Sequence, residues 1–331
     1  MNRHAARVAR WTVLPAVLGL VALGCQAELV PPRGSVEVAV PYATSRAPTG
    51  TTDPRRFYGP QPGPRALGVV RVRVPHDPRT GERETGEPVQ RTTLTAVEPA
   101  DALPLDEGAI LVFVHGFSVS FPNAARQAAQ LAYDVSLEGR VALFAWPSAS
   151  LYGGDEVRVL RAAVVLREWL EELAERDSPV HLIAHGMGAR ALATALRALA
   201  RDEAPAHFGE VILVAPDIAA DLFIDEMAAQ IAPLAERVTV YASANERALH
   251  HDLEAEALGD TESGLPISPH FETIDASAVD TSLFGHALSP DRRSVVTDVA
   301  ALLAGGPRHR LEQHIGRATH WSLEGPPFTA L

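Results

Sequence analysis

The chain has 331 residues, 47% of them apolar, which is enough to build a full core in one large α/β domain or in two smaller ones. Its formal net charge is −12, and setting aside Arg3, Arg7 and Arg10 leaves 26 basic residues against 41 acidic, about −15. That balance argues against nucleic acid or an anionic bilayer surface as the main partner, and the single cysteine excludes both an intramolecular disulfide and a cysteine-built metal site.

Residues 1–24 read as an export signal. Arg3, Arg7 and Arg10 form a basic start, Trp11 to Leu23 is apolar but too short to span a bilayer comfortably, and Ala22-Leu23-Gly24-Cys25 closes the segment. The pattern resembles a bacterial lipoprotein signal, with its leucine one place later than usual. The resemblance implies a lipid anchor on Cys25, residues 25–34 as a tether, and, with Gln26 following, a cell-envelope protein on the periplasmic side of the outer membrane.

Ser35 to Ala43 and Leu67 to Val74 alternate as half-exposed strands, and the Gly- and Pro-rich stretch Thr49 to Pro64 between them reads as loop. Beyond the polar stretch Pro75 to Gly86 the pattern changes to apolar runs alternating with helical periods. Strands are predicted at Ala109–Val114, Val141–Ala145, His181–Ala184, Glu210–Val214, Arg237–Tyr241 and Phe271–Ile274. Helices are predicted at Asn123–Tyr133, Glu156–Arg176, Ala189–Arg201, Ala220–Leu234 and Ser294–Leu303. Strands with little polar alternation, separated by helices, imply a mostly parallel sheet covered on both faces, in one domain over 35–303 with a tail at 304–331. The polar segment His250 to Ser268 interrupts the rhythm and reads as a solvated loop or a flap over a site.

The chemistry concentrates in the turns after the strands. Val180-His181-Leu182-Ile183-Ala184-His185-Gly186-Met187-Gly188 has the form of a nucleophile elbow, in which a sharp strand-to-helix turn lifts a serine above the sheet. Ala184, Gly186 and Gly188 are the small residues the turn demands, but Gly186 stands at the nucleophile position. Met187 is placed to offer its N–H to an oxyanion, and the turn Val114-His115-Gly116-Phe117 after the earlier strand offers a second, from Phe117 or Ser118. His250 and His251 are adjacent, so they lack the i, i+4 spacing of a helical zinc motif; no metal or other cofactor is expected.

Further motifs accompany these: VHGFSVSF at 114–121, AQLAYD at 129–134, FAWPS at 144–148, LIAHGMG at 182–188, APD at 215–217, YASANERAL at 241–249 and IDASAVDTSLFGH at 274–286. Together they resemble a bacterial α/β-hydrolase family of unknown function (domain of unknown function 900), over about Ser35 to Leu303. The resemblance implies an α/β-hydrolase fold with His286 as general base and Glu246 as the acid, lengthened by one methylene from the family's Asp. Asp217, one strand earlier, is the alternative acid. It also implies that covalent catalysis is lost, since removing a triad nucleophile costs on the order of 10⁶ in turnover, with about 10³–10⁴ over water left to the oxyanion donors and binding.

Two functions follow as expectations. One is a pseudohydrolase that binds or scaffolds, with a small acyl-type ligand in the old pocket and the membrane reached through Cys25; the sequence names no protein partner. The other is a weak hydrolase in which His286 activates water, or in which Ser118, Ser120 or Ser148 takes the nucleophile's place.

Overall fold

A computed structural model describes residues 35–75, 92–105, 108–135, 137–149, 152–244, 256–261, 264–279, 295–305, 310–315 and 318–323. Cys25, Glu246 and His286, and with them the expected signal and tether, lie outside these residues.

The strands are β1 (Ser35–Pro48), β2 (Tyr58–Pro75), β3 (Thr93–Ala100), β4 (Ala109–Val114), β5 (Gly139–Ala145), β6 (Val180–His185), β7 (Phe208–Val214), β8 (Ala235–Ala242), β9 (Glu272–Asp275), β10 (Arg310–Ile315) and β11 (Ala318–Leu323). The helices are α1 (Phe121–Val135), α2 (Tyr152–Ala174), α3 (Gly188–Arg201), α4 (Ala228–Ile231) and α5 (Val295–Leu303). Among the described residues the strands form one eleven-stranded open sheet in the order β10-β11-β9-β8-β7-β6-β4-β5-β1-β2-β3. Pairing is parallel from β1 through β5, β4, β6, β7, β8 and β9 to β11, with antiparallel pairs only at the two edges. This is the α/β-hydrolase architecture expected from the sequence.

The apolar runs are strands buried on both faces, so alternate residues serve opposite cores. Ile110, Val112 and Val114 of β4 pack with residues of α2 and α3, while Leu111 and Phe113 pack with residues of α1 and α5. Burial of each such side chain contributes roughly 1.5–3 kcal/mol, which is why a central strand needs no polar face. From β4 the chain passes to β5 on one side and then returns to β6 on the other. Crevices at the carboxyl ends of parallel strands open where the strand order reverses in this way, here between β4 and β6.

Four expectations need correction. The stretch Thr49–Pro64 is not all loop, because β2 begins at Tyr58 and pairs with the far end of β1 across register shifts on either side of Arg46. These bulges let a Gly- and Pro-rich sequence hold an edge pairing that regular alternation would not reveal. Strand β3 was not predicted, since only Leu94 and Thr92 of its neighbourhood are buried and Pro99 sits in it, as an edge strand tolerates.

The helix expected over Ala220–Leu234 is instead a π-helical segment (Leu222–Met227), the short α4 and a 3₁₀ turn (Ala232–Leu234). Pro233 has no N–H to give to the preceding turn, which favours a tightened ending. Finally, the expected tail at 304–331 contains β10 and β11, which extend the main sheet past β9.

That C-terminal hairpin is tied in by a buried ion pair. Arg310, with a side chain only 2% exposed, gives Nη2 to Asp298 Oδ2 at 2.7 Å and Nη1 to Glu272 Oε2 at 3.1 Å. The Tyr241 hydroxyl donates to the same Asp298 oxygen at 2.5 Å, and its pKa is pushed up first by burial and then by that carboxylate. Asp298→Ala would leave the guanidinium buried without its main partner. We expect a loss of about 3–5 kcal/mol in urea unfolding, whereas a change below about 1 kcal/mol would place the anchoring of β10 elsewhere.

Candidate functional site

The β6–α3 turn has the geometry of an elbow. Gly186 adopts φ +52°, its N–H donates to Val214 O at 3.0 Å, and its carbonyl accepts from Ala189 at 3.0 Å and Asp217 at 3.1 Å. A Cβ placed on Gly186 would come no closer than 4.0 Å to any outside atom, the nearest being Gly116 Cα. A side chain at 186 would therefore stand in open space. Gly188 is the opposite case, because a Cβ there would lie 2.3 Å from His115 O and 2.8 Å from Val114 O. Helix α3 can start this close to the end of β4 only with glycine at 188.

Two further turns carry a strain that glycine escapes. Ser118 after β4 has φ +57° and Ala215 after β7 has φ +43°, so non-glycine residues hold the left-handed region beside the elbow. Such residues cost about 1–3 kcal/mol each and gather at functional sites.

Gly116, Phe117, Tyr152, His185, Gly186, Met187 and Asp217 line one cavity of about 230 Å³. Three of the residues predicted for the elbow and the oxyanion, Gly186, Met187 and Phe117, are thus brought together. Neither Phe117 nor Met187 gives its N–H to an acceptor among the described residues. Asp217 is also in the wall, but its carboxylate is engaged elsewhere. It accepts from the Tyr152 hydroxyl at 2.8 Å and from Arg190 Nη2 at 2.9 Å, while Arg190 Nε donates to its carbonyl. Arg190 also reaches Glu156 at 2.8 Å, and Tyr152 meets the ring of Phe117 edge-on.

Burial followed by this carboxylate pushes the Tyr152 hydroxyl up, so it remains a proton donor to Asp217. Sequence reasoning missed Tyr152 and Arg190. The only available sign was an arginine one turn into the helix after the elbow.

Of the three serines considered as substitutes, Ser148 is buried and donates to Asp155 Oδ2 at 2.7 Å, so its hydroxyl is engaged with a carboxylate. Ser118 and Ser120 are exposed. Among the described residues no group of three or more His, Cys, Asp or Glu side chains could hold a metal ion.

Behind the cavity, His115 is fully buried and stacked on Trp146 at 5.3 Å with an 8° interplanar angle. Trp146 Nε1 donates to His115 O at 2.7 Å, and His115 Nδ1 donates to Gly116 O at 2.9 Å. Burial, then the nearby charge of Arg46, pushes the His115 pKa down to about 3. The ring is therefore neutral and holds the turn that carries Phe117.

Residues 100–260 match the model of a family described as alpha/beta hydrolase of unknown function (DUF900). The matched stretch includes β4, the elbow, Asp217 and the position of Glu246, and ends before the segment that carries His286. No curated protein matches the chain.

Two predictions follow from the glycines and the histidine. Gly186→Ser should fold with a loss of only about 1–2 kcal/mol from its positive φ. Gly188→Ala should lose more than about 3 kcal/mol or fail to fold, because its clash is with backbone; thermal unfolding of the pair tests the contrast, and equal losses would contradict it. The second concerns pH. The His115 pKa is lower folded than unfolded, so its contribution to stability is present above about 6.5 and is lost as pH falls toward 3. Urea unfolding should weaken by up to about 1.4 kcal/mol per pH unit over that window, with His181, also lowered by burial, adding to the slope. His115→Gln should flatten the profile, and an unchanged slope would overturn the assignment.

Proposed function

We propose that the alpha/beta-hydrolase domain formed around residues 100–260 is a pseudohydrolase: it keeps the fold and cleft of its family as a ligand-binding surface and performs no covalent catalysis. The observation that carries this reading is Gly186 at the elbow. Without Oγ no acyl-enzyme can form, a loss on the order of 10⁶ in turnover or about 8 kcal/mol of transition-state stabilisation. What remains is a small, partly apolar cavity lined by Phe117 and Met187, whose backbone N–H groups have no acceptor among the described residues. Such an arrangement suits a ligand carbonyl or another neutral oxygen, which the N–H groups would orient.

In this reading Cys25 carries a lipid anchor, residues 25–34 are the tether, and the domain faces the periplasm from the outer membrane. His286 and Glu246 are then survivors of the base and acid positions.

A second reading is favoured by the open space at Gly186. Water could occupy the place of the missing side chain, and His286 could take its proton as the oxygen attacks the carbonyl carbon of a bound ester; the tetrahedral adduct then breaks its C–O bond to the alcohol, which leaves with the proton returned from His286. The two readings separate cleanly. The pseudohydrolase predicts no covalent labelling of the wild-type chain by a fluorophosphonate probe and no ester turnover that depends on His286. Labelling of the wild type would sink it, and turnover abolished by His286→Ala would establish the water mechanism. Labelling gained in Gly186→Ser would show that the base and oxyanion donors are still assembled around the turn.

A further inference from the structure

A second cavity, of about 460 Å³, adjoins the turn that follows β4. Val119 lines both cavities, and Arg46, Arg55, Arg56, Ser118 and Ser120 line the second. Its central feature is Arg46, buried to 1% exposure and set between two register shifts of the β1–β2 pair. The guanidinium gives Nη2 to Val119 O at 2.5 Å and Nη1 to Gly59 O at 3.2 Å and Ser148 O at 3.5 Å, and its Nε has no partner. Among the described residues no carboxylate forms an ion pair with it.

Asp155 lies near enough to favour the charge, but its oxygens are engaged by Ser148 Oγ, Ala149 N and Arg158. Burial pushes the Arg46 pKa down, to about 9, which leaves it charged at neutral pH. A buried charge whose hydrogen bonds go to carbonyl dipoles alone is costly, and a bound anion would offset part of that cost.

The surroundings point the same way. Arg55 and Arg56 share one carboxylate, Asp53, and are exposed. The guanidinium of Arg126 lies close enough to Arg55 for their charges to repel. Helix α1 begins directly after Ser120 with no acidic residue in its first turn, so the positive end of its dipole is not offset there. In a chain of net charge −12 this is a concentrated positive locus.

We infer that this cavity binds the anionic head of the ligand, a carboxylate or phosphate group held by Arg46, Arg55 and Arg56, while the neutral remainder passes Val119 toward Gly186. The inference rests on the reading of the cleft as a ligand site, but it needs no catalysis. Fluorophosphonate labelling tests the elbow and anion binding tests this cavity, so either can fail alone.

The experiment is isothermal titration of the full chain with inorganic phosphate and, separately, with succinate, at an ionic strength held constant with sodium chloride. Saturable one-site binding is expected for at least one of them. Tighter phosphate would identify a phosphorylated ligand, and tighter succinate a carboxylate. Arg55→Ser/Arg56→Ser, both exposed and free of core contacts, should bind about tenfold or more weakly, and Arg46→Gln, where it folds, should not bind. Absence of saturable binding to either anion, or an affinity unchanged in the Arg55/Arg56 double variant, would overturn the inference.

Discussion

The site depends on one close approach, that of the backbone at Gly188 to the carbonyls of Val114 and His115. It brings the start of α3 against the end of β4, and so sets the end of β6 and the turn after β4 side by side at the reversal of strand order. Every other feature of the cleft follows. Gly186 must turn with positive φ to enter the helix, Phe117 and Met187 come to share a cavity, and Asp217 reaches the Gly186 carbonyl with its N–H. The contact is steric, so it admits no graded adjustment: any Cβ at 188 meets main chain.

Around that contact the molecule uses polar groups as struts in a sheet that is otherwise held by apolar burial. Arg46 ties the end of β1 to Gly59 in β2 and to the turns after β4 and β5, through three carbonyls. Asp217, Tyr152 and Arg190 tie the turn after β7 to the starts of α2 and α3. His115 and Trp146 lock the β4 turn to the β5 turn by stacking and by one hydrogen bond. These groups are low in exposure and mutually dependent, so the turns are held by the loops of neighbouring strands more than by their own sequences.

That dependence explains which parts could be read in the sequence. The central strands were legible because burial on both faces makes them continuous apolar runs, as in Ala109–Val114 and Phe208–Val214. The elbow was legible because its small residues answer a local steric demand. The edge strands were not, since β3 and β10 bury little and are placed by register with a neighbour. Arg46, Tyr152 and Arg190 were equally hidden: their roles come from partners 13 to 102 positions away, and no local pattern announces that a charged residue will be buried. His286 and Glu246 were named through family motifs alone.

The distribution of backbone strain bears on what the cleft is for. At position 186 glycine adopts its positive φ freely, so the absence of a side chain there relieves a cost of about 1–2 kcal/mol that a serine would carry. Ser118 and Ala215, where φ is +57° and +43°, have no such relief. Both remain non-glycine and strained, at about 1–3 kcal/mol each. Ala215 lines the cavity at Gly186, and Ser118 lines the arginine-rich cavity beyond Val119. Strain is thus absent at Gly186 and retained at the two turns that shape the walls. That combination fits the proposed pseudohydrolase, in which the walls of the cleft hold a ligand and the elbow carries no nucleophile.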